Sequence, residues 1–423
     1  MKHLLSRPRF AVLLGALFAL GGCESIKETV GLKETPKGPE ELRATWVVSH
    51  TLRDEPAVEA IVAESEDRIG TNAMFVQARS RGDAYYQGGL EPLPKLLRGR
   101  SFDPLKEAIS EGGSSVAVHA WINCCLIADA SDLPRDPQHI VVAHPEWLAV
   151  PEALARELWS LPARDPSYVE KLARHVTERR TEVEGLFCDP AVPEYRAHVV
   201  RIVEDLCRRY DLAGVHFDYI RYAGPKWGYS RAALDQFRVE VDRELSAVER
   251  QDMASRVAKD PLVYTRRFAR RFEQFRRDAV SRLVSEMARA ARTSKPGIFV
   301  SAAVFPDLSA ARDQKLQEWR TWLDRGDLDA ACPMIYTTHP DQFAKLCRDA
   351  VNVRGRGKIW AGIGAWLLKA EEVAARVEVA RKAGADGIVL FSHQGLKDVR
   401  GGFDAVRAGP FREKARQPVK PKN

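Results

Sequence analysis

Apolar, β-branched runs of seven to nine residues recur along the chain, with amphipathic stretches between them. They are Ala44–His50, Asn72–Ala78, Val116–Asn123, Ala213–Tyr219, Gly297–Phe305, Asp329–Thr337, Lys358–Trp366 and Gly387–His393. The segments Ala57–Ile69, Pro104–Gly112, Arg196–Tyr210, Gln314–Arg325 and Glu371–Ala383 carry apolar residues at helical spacing. Near-continuous apolar strands alternating with helices imply parallel strands covered on the outside by helices. Eight such units in series predict an α/β fold, a single (β/α)8 TIM barrel over residues 43–408. No GxGxxG follows the first strand, which argues against a doubly wound sheet. The strands span residues 44–393, more than the ~250 residues such a barrel usually needs. Insertions after strands 3 and 4 absorb the excess: Cys124–Glu194, with a helix expected over Val169–Glu184, and Ala223–Tyr264, with one over Arg231–Val248. Both leave the C-terminal ends of strands, where a barrel keeps its active site.

The first residues change the picture from fold to address. Lys2, Arg7 and Arg9 precede the apolar run Phe10–Leu20, too short to span a bilayer and typical of an export signal. Leu20-Gly21-Gly22-Cys23 looks like a lipobox. Residues 1–22 are therefore expected to be a lipoprotein signal peptide, with Cys23 the lipidated residue and 23–42 a tether. Glu24 after the cysteine leans toward the periplasmic face of the outer membrane. Residues 409–423, basic and poor in apolar side chains, read as a disordered tail. Six further cysteines remain, and Cys124 or Cys125 bridging Cys188 competes with buried free thiols. Composition, 45% hydrophobic and 29% charged, excludes a disordered or polytopic membrane chain. A net charge of +7 does not imply nucleic acid. Within the basic stretch Arg266–Arg292, Phe268, Phe272, Phe275, Leu283 and Met287 repeat at helical spacing, so it reads as an outer barrel helix with a solvated basic face.

Candidate chemistry sits at strand ends. Asp218 closes the fourth strand in the same register as His216, and a carboxylate there is costly unless used or paired, Arg221 being the nearest candidate partner. The third strand supplies His119, Trp121 and Asn123 in one register, and Tyr336, Trp366 and His393 end strands six, seven and eight. Aromatic faces for sugar rings and polar groups for hydroxyls suit a carbohydrate. A metal site from His50, His119, His216, His393 and Asp218 is the competing reading, but no HxH ends the first strand, so no metal or other cofactor is assigned. There is no GxSxG and no P-loop.

In order, RATWVVSH, FVQARSRGDAYY, FDPL, VHAWIN, HPEWL, DPAVPEYR, GVHFDYIRY and PMIYT resemble the motifs of the bacterial glycosyl-hydrolase-like family 10, amylase-type barrels that are often envelope lipoproteins. The resemblance covers about Arg43 to His393. It implies a glycosidase acting on a cell-envelope glycan, with peptidoglycan glycan strands the expected substrate; the alternative is a glycan-binding lipoprotein without catalysis. It implies Asp218 as nucleophile or acid/base, with Asp83 or Asp307 as its partner. Arg79, His119, Trp121, Asn123, Asp189, His216, Arg221, Tyr336, Trp366 and His393 are expected to bind substrate. The sequence departs from the family pattern at Tyr219, where many members carry a second acid, and at Cys124, where many carry proline.

Overall fold

The structure, a computed structural model, describes residues 38–418. The expected signal peptide, Cys23, most of the tether and residues 419–423 lie outside them. Eight parallel strands form a closed sheet: β1 (Leu42–Val47), β2 (Ala73–Ser80), β3 (Ala117–Asn123), β4 (Gly214–Asp218), β5 (Phe299–Val304), β6 (Ala330–Ile335), β7 (Lys358–Gly364) and β8 (Gly387–Phe391). Each pairs with its sequence neighbours, and β8 returns to β1 through Leu42↔Gly387 to Thr45↔Leu390. The chain is a (β/α)8 barrel, as the alternation of apolar runs predicts. Trp46, Phe75, Trp121 and Trp360 fill its interior. Residues 38–418 hold both this inner core and the outer layer between strands and helices, and they pack as one compact unit.

Several helices start where short polar residues cap them. Asp54 accepts from the Ala57 N–H and Asp103 from the Lys106 N–H, each followed by a proline in the first turn. The basic stretch forms the helix Ala269–Ser294, which buries Phe272, Phe275, Leu283 and Met287. Elsewhere tertiary packing overrides helical spacing. The expected helix Gln314–Arg325 is two short ones, Leu308–Gln314 and Trp319–Asp324, broken at Leu316, where φ is +60°. The buried indoles of Trp319 and Trp322 donate to the Phe305 carbonyl and to Ser281 Oγ, and a continuous helix is given up to seat them.

The helix in the first insertion runs Pro166–Thr177 and stops seven residues short of Glu184. The chain then forms a two-stranded antiparallel sheet, Leu186–Phe187 against Leu126–Ala128, immediately beyond β3. In the second insertion, two helices, Arg231–Asp242 and Ala247–Val257, replace the expected one; a capping box from Ser246 and Glu249 starts the second.

Two boundaries need correction. Of the expected disordered tail, residues 409–418 pack against the barrel: Phe411 is buried, Arg43 Nη1 donates to the Glu413 carbonyl at 2.5 Å, and Gln417 Nε2 donates to the Asn72 carbonyl at 2.9 Å. One phenylalanine and backbone pairing suffice to hold a segment whose composition reads as solvated. Likewise residues 38–41 of the expected tether pair with this segment, the Glu41 N–H donating to the Arg416 carbonyl. All six cysteines in the described region are buried free thiols.

Candidate active site

A cleft of about 890 Å3 opens at the C-terminal ends of the strands. Asp218, the last residue of β4, lies at its floor and is paired in register with Asn123 of β3. The backbone turns sharply after it: Tyr219 adopts φ +52°, a left-handed conformation that costs a residue with a Cβ. The turn brings the Tyr219 N–H back onto Asp218 Oδ1 at 2.7 Å, while Trp121 Nε1 donates to Oδ2 at 3.1 Å. Burial raises the Asp218 carboxyl to about 6, against the opposing pull of the Tyr219 N–H, Arg221 and Trp121.

The second carboxylate in the cleft is Glu184, not a residue singled out from the sequence. It stands just before the short strand Leu186–Phe187 of the first insertion. Gly185 lets the chain pass there, since a Cβ on it would lie 2.2 Å from the Ala128 carbonyl oxygen. Arg221 Nη2 donates to Glu184 Oε1 at 2.6 Å. Burial would raise the Glu184 carboxyl, but the Arg221 charge and hydrogen bond outweigh it and hold it below the ordinary glutamate value. The Arg221 guanidinium is itself buried, 4.8 Å from the Tyr219 ring centroid, 5.3 Å from Phe187 and 5.5 Å from Phe305. It borders the cleft and holds Glu184 in place there.

Opposite these acids stands an aromatic wall. Trp366 is 46% exposed and packs edge-on against Tyr336 at 5.0 Å and Phe391 at 5.3 Å. Gly364 makes the packing possible: a Cβ there would sit 2.8 Å from the Trp366 ring. Asn123, whose amide oxygen accepts from Gln77 Nε2, and the rim residues His50, Arg81 and Tyr85 complete the polar lining.

Of the residues expected to act here, Asp218, Trp121, Asn123, Arg221, Tyr336 and Trp366 line the cleft. The others do not. Arg79 is sealed in the core, bound to Glu91 Oε1 at 2.6 Å and donating to the Asn123 and Cys124 carbonyls. Asp189 is buried and accepts from Tyr222 Oη, Ser230 Oγ and the Ala191 N–H, which ties the two insertions together. His119 lies deep in the barrel among Phe75, Phe299 and Trp360, and burial lowers it to about 3. His216 stacks on Phe75, accepts from Trp46 Nε1 at 3.1 Å and faces Ser301 Oγ at 2.9 Å. Those partners assign it a neutral ring protonated on Nδ1, a support beneath Trp46. His393 is buried 3.3 Å from Glu64. Asp307 is exposed and caps the helix Leu308–Gln314 through the Ala310 N–H. Asp83 lies in a short hairpin outside the cleft, raised to about 7 by burial and by Glu91. Strand parity turns His119 and His216 inward as expected, but inward-facing positions below the strand end form the packed barrel core. The histidines of the competing metal reading do not converge, His119 and His216 being core residues and His393 lying outside the cleft.

Fold and cleft together define a class: (β/α)8 barrels with carboxylates and an aromatic platform at the strand ends, the arrangement of carbohydrate-active barrels. The chain belongs to the glycosyl hydrolase-like 10 family, whose model matches residues 41–356. It is 24% identical to glycosyl hydrolase YngK of Bacillus subtilis (strain 168), over 70% of this chain and 54% of that protein, so it spans about half of that relative's length. It is 23% identical to glycosyl hydrolase DigH of Escherichia coli (strain K12), over 86% of this chain and 83% of DigH. Among solved structures, the glycoside hydrolase domain of PgaB (BpsB) from Bordetella bronchiseptica shares the fold, with a TM-score of 0.57 and 13% identity, over 87% of this chain and 98% of that domain.

Proposed function

We propose that the chain is a glycosidase of a bacterial cell-envelope glycan, with peptidoglycan glycan strands as its substrate. The observation that carries this reading is a single cleft holding two carboxylates whose environments push their proton affinities apart, Asp218 up to about 6 and Glu184 down. Glycoside hydrolysis needs such a division: one group protonates the leaving oxygen, and an ionised carboxylate attacks the anomeric carbon or activates water. Asp218 holds the proton and Glu184 carries the charge. Arg221 keeps Glu184 ionised, and Trp121 and the Tyr219 N–H orient Asp218. Trp366 and Tyr336 receive a sugar face, and Asn123 a hydroxyl.

Incubation of purified protein with peptidoglycan glycan strands, counting new reducing ends, tests the reading. The parent releases ends; Asp218→Asn and Glu184→Gln do not, yet still bind. A parent that binds the glycan and releases nothing would make the protein a glycan-binding lipoprotein instead. The leader and Cys23 support export and lipid anchoring on the periplasmic face of the outer membrane. Cys23→Ala should move the protein from the membrane to the soluble fraction; unchanged membrane association would refute the anchor.

A further inference from the structure

The face of the barrel opposite the cleft, where the N-terminal strand ends and the helix-to-strand loops lie, carries more free basic than free acidic charge. Most of its acids are engaged. Asp211, Asp329, Asp386 and Glu40 are bound by Lys295, Arg292, Arg354 and Lys358, and Glu41 by Arg43 and Arg381. Asp327 accepts from Ser285 Oγ at 2.6 Å. Six exposed basic residues of this face have no carboxylate partner among the described residues: Arg289, Arg325, Arg356, Lys382, Arg412 and Lys414. The exposed acids there left without a cation are Glu413 and, at the ends of the helices before β2 and β3, Asp67 and Glu111. They come from separate places in the sequence. Arg289 lies near the end of the helix before β5, Arg325 and Arg356 in the loops before β6 and β7, and Lys382 ends the helix before β8. Arg412 and Lys414 lie in the packed C-terminal segment. Arg289, Arg292 and Arg325 also border a notch of about 380 Å3, which they share with the Thr293 hydroxyl and the Asp327 carboxylate that Ser285 binds.

We infer that this face is a docking surface for anionic lipid headgroups, seating the barrel with its base on a membrane and its cleft turned away. A surface on which unpaired, strongly basic side chains outnumber unpaired acids suits phosphodiester headgroups, and each Lys or Arg brought to an anionic bilayer adds to the attraction. Residues 38–42 enter the barrel on this same face, so a preceding lipid anchor would reinforce the orientation. The surface is defined by topology and charge alone and stands independently of the hydrolytic reading.

The test is flotation of the barrel segment, residues 38–423, with vesicles of phosphatidylcholine alone or mixed equally with phosphatidylglycerol. The expected result is binding only to the anionic vesicles at low salt, with release at about 0.5 M salt as the charges are screened. Replacing Arg325, Arg356 and Lys414 with Gln removes three charges from this face. It should lower partitioning by about 5-fold per residue, about 100-fold together. Replacing Arg135, Arg164 and Arg180, exposed residues of the first insertion on the cleft side, should change it by less than about 2-fold, because they lie beyond the screening length. Equal binding to neutral vesicles, equal losses in the two triple variants, or no binding at low salt would each overturn the inference. So would binding to a soluble anionic polysaccharide with none to vesicles.

Discussion

Arg79 and Arg221 each stand near the end of a barrel strand, and each holds a glutamate at 2.6 Å, yet their surroundings differ. The Arg79–Glu91 pair is sealed, with side chains 0% and 2% exposed, and His198 closes it from the far side at 3.1 Å. Arg79 spends its remaining donors on the Asn123 and Cys124 carbonyls, fixing the strand end that carries the cleft residue Asn123. The Arg221–Glu184 pair has an equally buried arginine but a glutamate 40% exposed to the cleft. The same chemical pair thus forms a sealed structural clamp in one place and presents a carboxylate to the cleft in the other. What separates them is whether one partner still faces solvent, which strand position alone does not reveal.

The sharpest break between the regions comes from Asp218. Asp218→Asn should reduce glycan hydrolysis by roughly 10²–10⁴-fold, the usual worth of a positioned acid. The same change should stabilise the fold at neutral pH. The folded value of about 6 lies above the unfolded value of 3.8, so the native state holds the proton more tightly. Stability therefore falls as pH rises through that window and stays reduced above it. Removing the charge should recover about 2–3 kcal/mol at pH 7–8, measured as a higher urea midpoint than the parent; a lower midpoint would contradict the burial argument.

Glu91→Gln and Glu184→Gln separate the two pairs next. The first leaves Arg79 buried and uncompensated, at a cost of about 3–5 kcal/mol in denaturant melts. The second also leaves a buried arginine, but one packed against three aromatic rings and reachable by cleft water beside the half-exposed side chain of residue 184, so it should cost less, about 1–2 kcal/mol, and instead abolish turnover. Equal stability losses would erase the distinction. Smallest of all, Trp366→Ala should raise KM by about 10-fold with kcat nearly unchanged, the loss of one aromatic contact.

How far the sequence carried these conclusions varied by element. All eight strands were legible, because a strand buried on both faces must be apolar along its length. Asp218, Trp121 and Trp366 were legible because polar or aromatic side chains end those runs. Glu184 was not. Helical spacing continued from Val169 to Glu184, whereas the helix ends at Thr177 and a tight passage at Gly185 turns Glu184 over the cleft. A glycine directly after an acid in the longest insertion was the available signal. Arg79, Asp189 and His216 were over-read for the converse reason: each meets its partners through contacts distant in sequence, which a linear pattern does not display.

The central claim is that one cleft holds an acid whose proton burial retains up to about pH 6 and a glutamate kept ionised by Arg221. The pH dependence of kcat/KM on peptidoglycan glycan strands tests it most directly. The account predicts a bell on the acidic side of neutrality. Its falling limb should lie near pH 6, where Asp218 loses its proton, and its rising limb below the ordinary glutamate value, where Glu184 gains its charge. Activity that persists undiminished to pH 8, or an Asp218→Asn protein that keeps the parental rate and the limb near 6, would contradict it.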